Sequence, residues 1–521
     1  MPLLKKLFVL FFSLVLSFGF VIARKSEGLT KQSYKSNMQS EIASPSARND
    51  ICTFVKWFDP NTNEKEGKLI LKNCSSCHIA YYKEWKDDKH SMSQNNPLFL
   101  AVYKQFKEDH PNENGNCALC HNPEAAVENN LDLNNAVRAG LKPASTKTNG
   151  ISCDFCHKIE SVDQDPLKKG VAGLNILRVC KGMKDIRFGP IKDPIQPSDK
   201  EELKYNSLYK TSLYCAKCHD SSNGNVQIYS TFTEWLNSPA SKRGVQCQTC
   251  HMAPRNDVNT IVDNPDVKHK IRPYYQIHSH SFLTEDPHAF RKKYVDLKIV
   301  GACRRRALDN GHDVITVTAT VSNNNFGHSF PTGSTMRNAI LLIEAKDQNG
   351  NNLKLVKGPR LPNLAGDLQG KPGKLFAKIL SETSGEYGAT HSKAGILFRK
   401  IMDKLGIPAQ DWWNVFIAQD TRIKANESDV SQFEFVIARS VSDEAIRHEV
   451  SSRAEDEGSH NARRSFANAQ DDASHRIASP AARNDITVTA TLIWRNTWPG
   501  LAKLKKIKLG EDLLVEKRIQ I

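Results

Sequence analysis

The sequence predicts two architectural parts: short helices and loops in the first half, followed by a mainly-β, sandwich-like domain. Three observations predict this. The chain has 13 Cys and 17 His in 521 residues, and twelve of the cysteines lie in residues 52–250. From about residue 300 onward, apolar and polar residues alternate as they do in β-strands. A hydrophobic content of 39% is ordinary for a globular protein and excludes collagen-like and wholly disordered chains.

The N-terminus has the pattern of an export signal. Lys5 and Lys6 precede an apolar run from Leu7 to Ile22, and small Ala23 follows. This pattern predicts a signal peptide over residues 1–23, cleaved after Ala23. An uncleaved anchor helix is the alternative, although the run is short for a membrane span. A periplasmic or extracellular location follows in either case.

Ten cysteines form five copies of one motif, Cys-x-x-Cys-His. Thioredoxin-like redox pairs and zinc ribbons also use paired cysteines, but neither requires a histidine after every second cysteine. Covalent attachment of haem c requires it, because two thiols bind one porphyrin and the next imidazole becomes an axial iron ligand. The sequence therefore predicts five covalently bound haem c groups. The motifs are Cys74–Cys77–His78, Cys117–Cys120–His121, Cys153–Cys156–His157, Cys215–Cys218–His219 and Cys247–Cys250–His251.

The sixth iron ligand separates an electron carrier from a catalyst. An iron with two axial histidines only passes electrons, whereas an iron with one protein ligand can bind a substrate. Candidate second ligands are therefore histidines outside the five motifs. His278 and His280 are one pair, and alternate residues of an extended segment face opposite ways, so they could serve two haems.

The region around the first motif resembles the cytochrome c-554-type multihaem family. Tyr82, Trp85 and His90 follow Cys74–His78 in the order typical of that family, and the His278-Ser-His280-Ser-Phe282 string after the last motif is also similar. The resemblance implies that His90 is a distal ligand and that Tyr82 and Trp85 pack near porphyrin.

A second resemblance involves the loop Gly327-His328-Ser-Phe-Pro331-Thr-Gly333. A GHxFPTG loop is similar to one in multihaem cytochromes with a C-terminal β-domain, and the resemblance implies that His328 reaches back to a haem. His110, His269 and His288 lie in polar stretches. We expect one of them to complete the set, and His110 is favoured because it shortly precedes Cys117.

The second half alternates apolar and polar residues in several short segments. A turn signal at Asp347–Gly350 and a helical interruption near Leu397–Leu405 complete the expected sandwich-like domain. A nearby Asp420-Thr-Arg-Ile423 string also resembles the family's β-domain. The predicted strands are Val314–Val321, Ala339–Glu344, Gln432–Ile437 and Ile486–Leu492.

One segment does not fit this domain. Ile42–Ile51 recurs as Ile477–Ile486 with nine of ten residues identical, and the residues between 438 and 485 contain one aromatic, Phe466. Such a composition predicts disorder, and we expect a translated repeat inserted at the tip of a hairpin formed by Gln432–Ile437 and Ile486–Leu492. A functional disordered loop is the alternative.

These observations predict five segments in the chain. They are a signal peptide (1–23), a disordered linker with a repeat-derived segment (24–51), a pentahaem cytochrome c domain (52–300), a β-sandwich-like domain (301–437 plus 486–521) and a disordered insertion (438–485).

The predicted function is relay of electrons between redox partners through closely packed, mostly bis-His haems. The net charge of +15 favours docking to acidic redox proteins, such as quinol-linked or other cytochromes, or to an anionic membrane surface. Nucleic-acid binding is not expected, and oligomerisation is left open. One alternative is an oxidoreductase whose single open haem acts on a small nitrogen or sulfur compound. Another is a subunit of an extracellular haem filament or electron conduit.

Overall fold

The computed structural model describes nine stretches of the chain. The described residues lie within one compact unit, Phe54–Ile521. Among them, no helix combines the length and apolar character needed to cross a membrane. The predicted signal peptide, linker, insertion and helical interruption at Leu397–Leu405 lie outside the described residues. The described ranges are 74–111, 116–128, 150–282, 286–305, 313–324, 326–382, 409, 415–437 and 486–521.

Short helices dominate the first half, and each Cys-x-x-Cys-His motif lies in or beside one. Asn96 caps the longest by accepting hydrogen bonds from the amides of Leu98 and Phe99, with Pro97 in the first turn. Ser152 caps another by accepting from the Phe155 amide. The helices are Cys74–Cys77, Ile79–Asp87, Pro97–Asp109, Ala118–His121, Pro123–Glu128, Cys153–His157, Leu213–His219, Thr231–Leu236, Pro239–Lys242, Cys247–His251, Pro287–Tyr294 and, in the second half, Pro499–Lys505.

Three small sheets and three single 3₁₀ turns separate these helices. β1 (Ile159–Val162) pairs antiparallel with β2 (Leu174–Ile176), and β5 (Asp220–Asn223) pairs antiparallel with β6 (Val226–Ser230). β3 (Asp185–Gly189) and β4 (Glu201–Tyr205) are parallel. The 3₁₀ turns span Gly170–Gly173, Ser207–Lys210 and Tyr274–Gln276, and a fourth, Asn363–Leu368, lies in the second half.

The second half contains two antiparallel sheets. Their strands are β7 (Val295–Arg305), β8 (Asp313–Asn323), β9 (Asn338–Lys346), β10 (Lys354–Lys357), β11 (Gly373–Glu382), β12 (Val415–Asp420), β13 (Ser428–Ile437), β14 (Thr487–Arg495) and β15 (Glu511–Gln520). The four-stranded sheet has the order β10-β13-β8-β7, and the five-stranded sheet has the order β12-β11-β9-β14-β15.

The two sheets pack through one hydrophobic core. Val317 of β8 and Phe433 of β13 meet Leu341 of β9 and Val488 of β14, and all four are fully buried. Alternate residues of β8 face this core, as the period of two predicts. A sandwich of two antiparallel sheets is therefore the architecture of this half, in agreement with the expectation from sequence.

The strand predictions agree with the structure, but one pairing is wrong. Gln432–Ile437 and Ile486–Leu492 do not form a hairpin, because β13 pairs with β8 and β10 whereas β14 pairs with β9 and β15. Residues 438–485 therefore connect β13 of one sheet to β14 of the other. β7 also begins at Val295, before the expected domain start at 301. The turn at Asp347–Gly350 is present, with the Gly350 amide donating to the Asp347 carbonyl at 3.0 Å.

Candidate haem centre

A single large cavity lies against the helical half and the adjoining edge of the sandwich. Its volume is 2980 Å³, and its lining includes all ten motif cysteines and all five motif histidines. Divided among five motifs, this is about 600 Å³ each, within the roughly 300–1,000 Å³ of cofactor pockets. The motifs therefore share one interior. We number them as sites 1 to 5, with histidines His78, His121, His157, His219 and His251 respectively.

Backbone carbonyls hold the Nδ1 atoms of four of the five motif histidines. Nδ1 of His78 donates to the Ile261 carbonyl at 2.9 Å, and Nδ1 of His121 donates to the Ser93 carbonyl at 2.9 Å. His157 and His251 donate in the same way to Phe188 and Phe282, each at 2.7 Å. A proton fixed on Nδ1 leaves the lone pair on Nε2, which is the arrangement of a metal-ligating histidine.

Three motif histidines face a second histidine across the cavity. The ring centroids are 6.1 Å apart for His219 and His90, 6.4 Å for His157 and His280, and 6.3 Å for His251 and His328. Two imidazoles bound to one metal at about 2.0–2.1 Å have centroids about 6 Å apart. Each pair therefore has the spacing needed to hold one iron between its two rings.

Burial lowers the pKa of seven histidines at these sites. It is the largest cause that lowers the pKa of His219 and His280 to about 3 and that of His328 to about 4. Burial also lowers the pKa of His78, His121, His157 and His251. A neutral imidazole is the form that binds a metal, so the lowered pKa of these seven histidines suits ligation.

His90 differs from the other paired histidines because a carboxylate holds it. The helix Ile79–Asp87 ends just before it, and Nδ1 of His90 donates to Oδ1 of Asp88 at 2.8 Å. The Asp88 side chain is buried, with 4% exposed, and its other oxygen accepts from the Phe282 amide at 3.2 Å. A carboxylate partner fixes the ring orientation and raises the basicity of a ligating imidazole.

The loop that carries His328 is fixed to the helical half by Glu234. This carboxylate accepts from the Ser329 amide at 3.1 Å and from the Thr332 hydroxyl at 2.7 Å. Arg422 of the Asp420–Ile423 string donates to the same carboxylate at 2.5 Å and also pairs with Asp420. Glu234 thus binds both the loop that carries His328 and Arg422 of the sandwich, and so joins them to the helical half.

Sites 1 and 2 have a different environment. Among the described residues, neither His78 nor His121 has a second histidine ring at the 6 Å spacing found for the other three. The Phe99 ring instead stacks on His121, with centroids 4.0 Å apart and planes at 9°. His278 lines the cavity, and its Nδ1 donates to the Met252 carbonyl at 2.7 Å.

His110 lies at the end of the helix Pro97–Asp109 and stacks on Phe106, with centroids 5.2 Å apart. Neither His110, His269 nor His288 is among the residues that line the cavity. Tyr82 and Trp85 do line it, and their packing against porphyrin stays a prediction. The assignment of distal ligands stays a prediction for all of these histidines.

Thiols from different motifs lie close enough to affect one another's pKa. Cys74 of site 1 is a neighbour of Cys153 of site 3, and this neighbour and burial raise the pKa of Cys153 well above its ordinary value. Cys215 and Cys247 join sites 4 and 5 in the same way. Cys218 of site 4 contacts Cys120 of site 2. Site 4 therefore adjoins both site 2 and site 5.

Sites 3 and 4 are joined by an aromatic side chain. Tyr214 lies on the helix Leu213–His219, and its hydroxyl donates to the Cys156 carbonyl at 2.9 Å. Burial raises the pKa of this hydroxyl well above its ordinary value, so it stays protonated as a donor. Together with the thiol contacts, this links all five sites into one connected cluster.

The residues present fit covalent haem better than a bare metal ion. Within the described ranges, no group of three or more His, Cys, Asp and Glu side chains is arranged to hold an ion. Three of the motif histidines lie about 6 Å from a second histidine ring, and the cavity has room for a large planar group beside the thiols. When bound, haem supplies a reversible one-electron couple. The protein anchors it through the thiols and orients it through the imidazoles.

Sequence reasoning missed two charged residues at these sites, Asp88 and Glu234. Glu234 carries no motif signal, because its partners Ser329 and Arg422 come from distant parts of the chain. Asp88 had a local signal, since a carboxylate two residues before a ligand histidine can hold its ring.

Thiol pairs that share one cavity, each followed directly by a histidine, are the features of one class of protein. They are those of the multihaem c-type cytochromes, which carry covalent haem c and transfer electrons. The family model described as cytochrome c554 and c-prime matches residues 73–158 and 191–252. The match covers the region of all five motifs and supports the resemblance seen in the sequence.

One solved structure has a similar fold. It is the crystal structure of a penta-heme cytochrome c552 from Thermochromatium tepidum, with a TM-score of 0.51 and 19% sequence identity. The alignment covers 86% of this chain and 97% of that chain. The similarity therefore extends over the helical half and the antiparallel sheets together, and at this identity it shows the fold. Among curated proteins, none matches the sequence.

Proposed function

We propose that this chain is an exported pentahaem cytochrome c that relays electrons between redox partner proteins. Sites 1 to 5 each bind one haem, through the two thiols and the histidine of the motif. The observation that carries the proposal is the set of three histidine pairs with centroids 6.1 to 6.4 Å apart, each containing one motif histidine. Two axial histidines close an iron to substrates and leave electron transfer as its chemistry.

The contacts between motifs support a relay through one connected cluster. Thiol contacts join site 1 to site 3, site 4 to site 5 and site 2 to site 4. The Tyr214 bridge joins sites 3 and 4. Electrons entering at site 1 would therefore pass through sites 3 and 4 to site 5, with site 2 as a branch. Acidic redox proteins are the proposed partners, because the chain carries a net charge of +15.

A second function is favoured by the environment of site 2. No second histidine faces His121 in the part of the chain that the structure describes, and the apolar Phe99 ring lies against it. A haem with a single axial histidine would be able to bind a small nitrogen or sulfur compound. The second proposal is therefore an oxidoreductase whose open haem is at site 2.

Two measurements on the purified chain test these proposals. A pyridine haemochrome assay should give five haems per polypeptide, and any other number would contradict the pentahaem proposal. Low-temperature EPR of the oxidised protein should give low-spin signals from the haems of sites 3, 4 and 5. A high-spin signal that changes on addition of nitrite or hydroxylamine would favour the oxidoreductase, whereas low-spin signals alone would exclude it.

A further inference from the structure

A basic surface lies outside the cavity near site 5. The helix Pro287–Tyr294 borders this part of the cavity through Phe290, whose ring centroid is 5.5 Å from that of His251. Phe290 lines the cavity, whereas Lys292 and Lys293 of the same helix are exposed and do not line it. One layer of the chain therefore separates site 5 from these two lysines.

Arg291 joins this helix to a second basic segment. Its guanidinium pairs with Asp512 of β15 and lies over the Trp494 ring of β14, 4.1 Å from the ring centroid. At the ends of the connection between these strands, the Asn496 amide donates to the Gly510 carbonyl at 2.9 Å. The Gly510 amide donates back to Oδ1 of Asn496 at 2.8 Å. The connection between β14 and β15 therefore lies beside the helix.

This connection, residues 496–510, carries several lysines and no acidic residue. Lys503, Lys506 and Lys508 are exposed, and none of the three lines the cavity. Leu504 lies among them and is 41% exposed. The segment therefore adds three positive charges to the outer surface next to site 5.

The exposed lysines of the helix and the connection together form what we call the lysine surface. Its members are Lys292, Lys293, Lys503, Lys506 and Lys508. Within the part of the chain that the structure describes, none of them pairs with a carboxylate. Lysines elsewhere do so, since Lys168 pairs with Asp163 and Lys374 pairs with Asp429. The charges of the lysine surface are therefore available to an anionic partner.

We propose that the lysine surface docks an acidic redox protein, which exchanges electrons with the haem of site 5. Carboxylates on the partner would complement the five charges and steer its approach. A membrane is a poorer occupant, because interfacial binding needs a broad apolar face and Leu504 is the large apolar side chain that these two segments expose. Site 5 is one end of the proposed relay, and this inference rests on the proposed binding of haem there.

The test compares two variants that change the net charge equally. The surface variant carries Lys292→Glu and Lys508→Glu, at positions that do not line the cavity. The control carries Lys346→Glu and Lys354→Glu, at exposed positions of the sandwich that do not line it either. Because each variant reverses two charges, a difference between them reports the location of the charges and not the total.

Stopped-flow kinetics measure reduction of the haems by two reagents. Flavodoxin hydroquinone is an acidic redox protein, and photoreduced lumiflavin is a small uncharged reductant. At low ionic strength, the rate constant with flavodoxin should fall about tenfold in the surface variant and stay within about twofold in the control. Added salt should remove this difference, since it screens exposed charges. Lumiflavin should reduce both variants and the unmodified chain alike.

Equal flavodoxin rate constants in the surface variant and the control would overturn the proposal. So would an unmodified chain that lumiflavin reduces and flavodoxin does not. Loss of binding to phosphatidylglycerol vesicles in the surface variant, with unchanged flavodoxin kinetics, would assign the lysine surface to a membrane and overturn the proposal as well. If the unmodified chain lacks haem at site 5 by haem count and EPR, the proposed function has failed instead.

Discussion

At the scale of single residues, the proposed second ligand of site 5 is His328. It lies in a loop of the sandwich, yet its ring centroid is 6.3 Å from that of His251. The Ser329 carbonyl accepts a hydrogen bond from Nδ1 at 3.0 Å, so the lone pair on Nε2 is free to bind a metal. Under the proposed pairing, removing this one side chain would leave site 5 with a single axial histidine.

We expect His328→Ala to convert one haem from low spin to high spin. The small alanine cannot fill the axial position, so the site-5 iron would bind carbon monoxide when reduced. EPR and carbon monoxide difference spectra measure this change. His269→Ala is the matched control, because His269 is exposed and does not line the cavity. Unchanged spin state in His328→Ala would contradict the pairing of His328 with His251.

The angle between paired imidazoles predicts a second spectroscopic difference. The planes of His90 and His219 cross at 73°, whereas those of His157 and His280 cross at 26° and those of His251 and His328 at 17°. Nearly parallel imidazole planes interact mainly with one of two iron d orbitals, so the energies of these two orbitals are split. Perpendicular planes interact with both orbitals alike, so their energies stay nearly equal. The oxidised EPR spectrum should therefore contain one strongly anisotropic low-spin signal, from site 4, and two rhombic ones.

His90→Ala tests that assignment, since it should remove the strongly anisotropic signal and leave both rhombic signals in place. Loss of a rhombic signal instead would mean that His90 serves a different site. The prediction depends on ring orientation, which the Asp88 carboxylate fixes for His90. Sequence alone could not give these angles.

At the scale of elements, the Glu234 and Arg422 pair joins the helix Thr231–Leu236 to the sandwich. Burial by itself would raise the pKa of Glu234, but Arg422 and the hydroxyls of Ser230 and Thr332 outweigh it and lower the pKa to about 2. A carboxyl with a lowered folded pKa stabilises the fold above its unfolded pKa. This contribution is lost as the pH falls from about 4.5 to about 2.

Glu234→Gln should therefore remove part of the acid sensitivity. We expect the variant to be less stable than the unmodified chain at pH 7 by on the order of 3 kcal/mol, with the difference shrinking below about pH 4. Urea unfolding at several pH values measures it. Glu202→Gln is the control, since its pair with Lys204 is exposed and contributes little. A constant difference across this pH range would exclude Glu234 as the titrating group.

The strands and the motifs could be predicted from sequence, but their partners could not. Alternation in residues 314–321 and 432–437 reflects burial of one face, so it identifies a strand wherever that strand pairs. The choice of sheet depends on distant residues, and the hairpin expected between β13 and β14 was wrong for that reason. The same limit applied to the site. His90 was identified as a ligand candidate, while its opposition to His219 depends on the tertiary structure.

At the scale of the whole molecule, replacing the segment 438–485 tests whether it is dispensable for folding and haem binding, as the sequence predicts. Ile437 and Ile486 both contact the core between the sheets, so the flanking residues should be kept. We expect replacement of 439–485 by a flexible linker of about six Gly and Ser residues to change the free energy of unfolding by less than about 1 kcal/mol. Thermal unfolding and the haem count are the measurements. A loss of haem or a larger destabilisation would favour a functional loop.

The origin of His328 in the sandwich has a consequence for biosynthesis. All five Cys-x-x-Cys-His motifs are translated before the loop that carries His328, and Glu234, which holds that loop, also pairs with Arg422, which is translated later still. Covalent attachment needs only the motif, so under the proposed pairing site 5 could be loaded before its second histidine is in place. The pairing would then form only when the sandwich has folded against the helix Thr231–Leu236. We therefore expect a chain truncated before the loop to carry a site-5 haem with a single axial histidine.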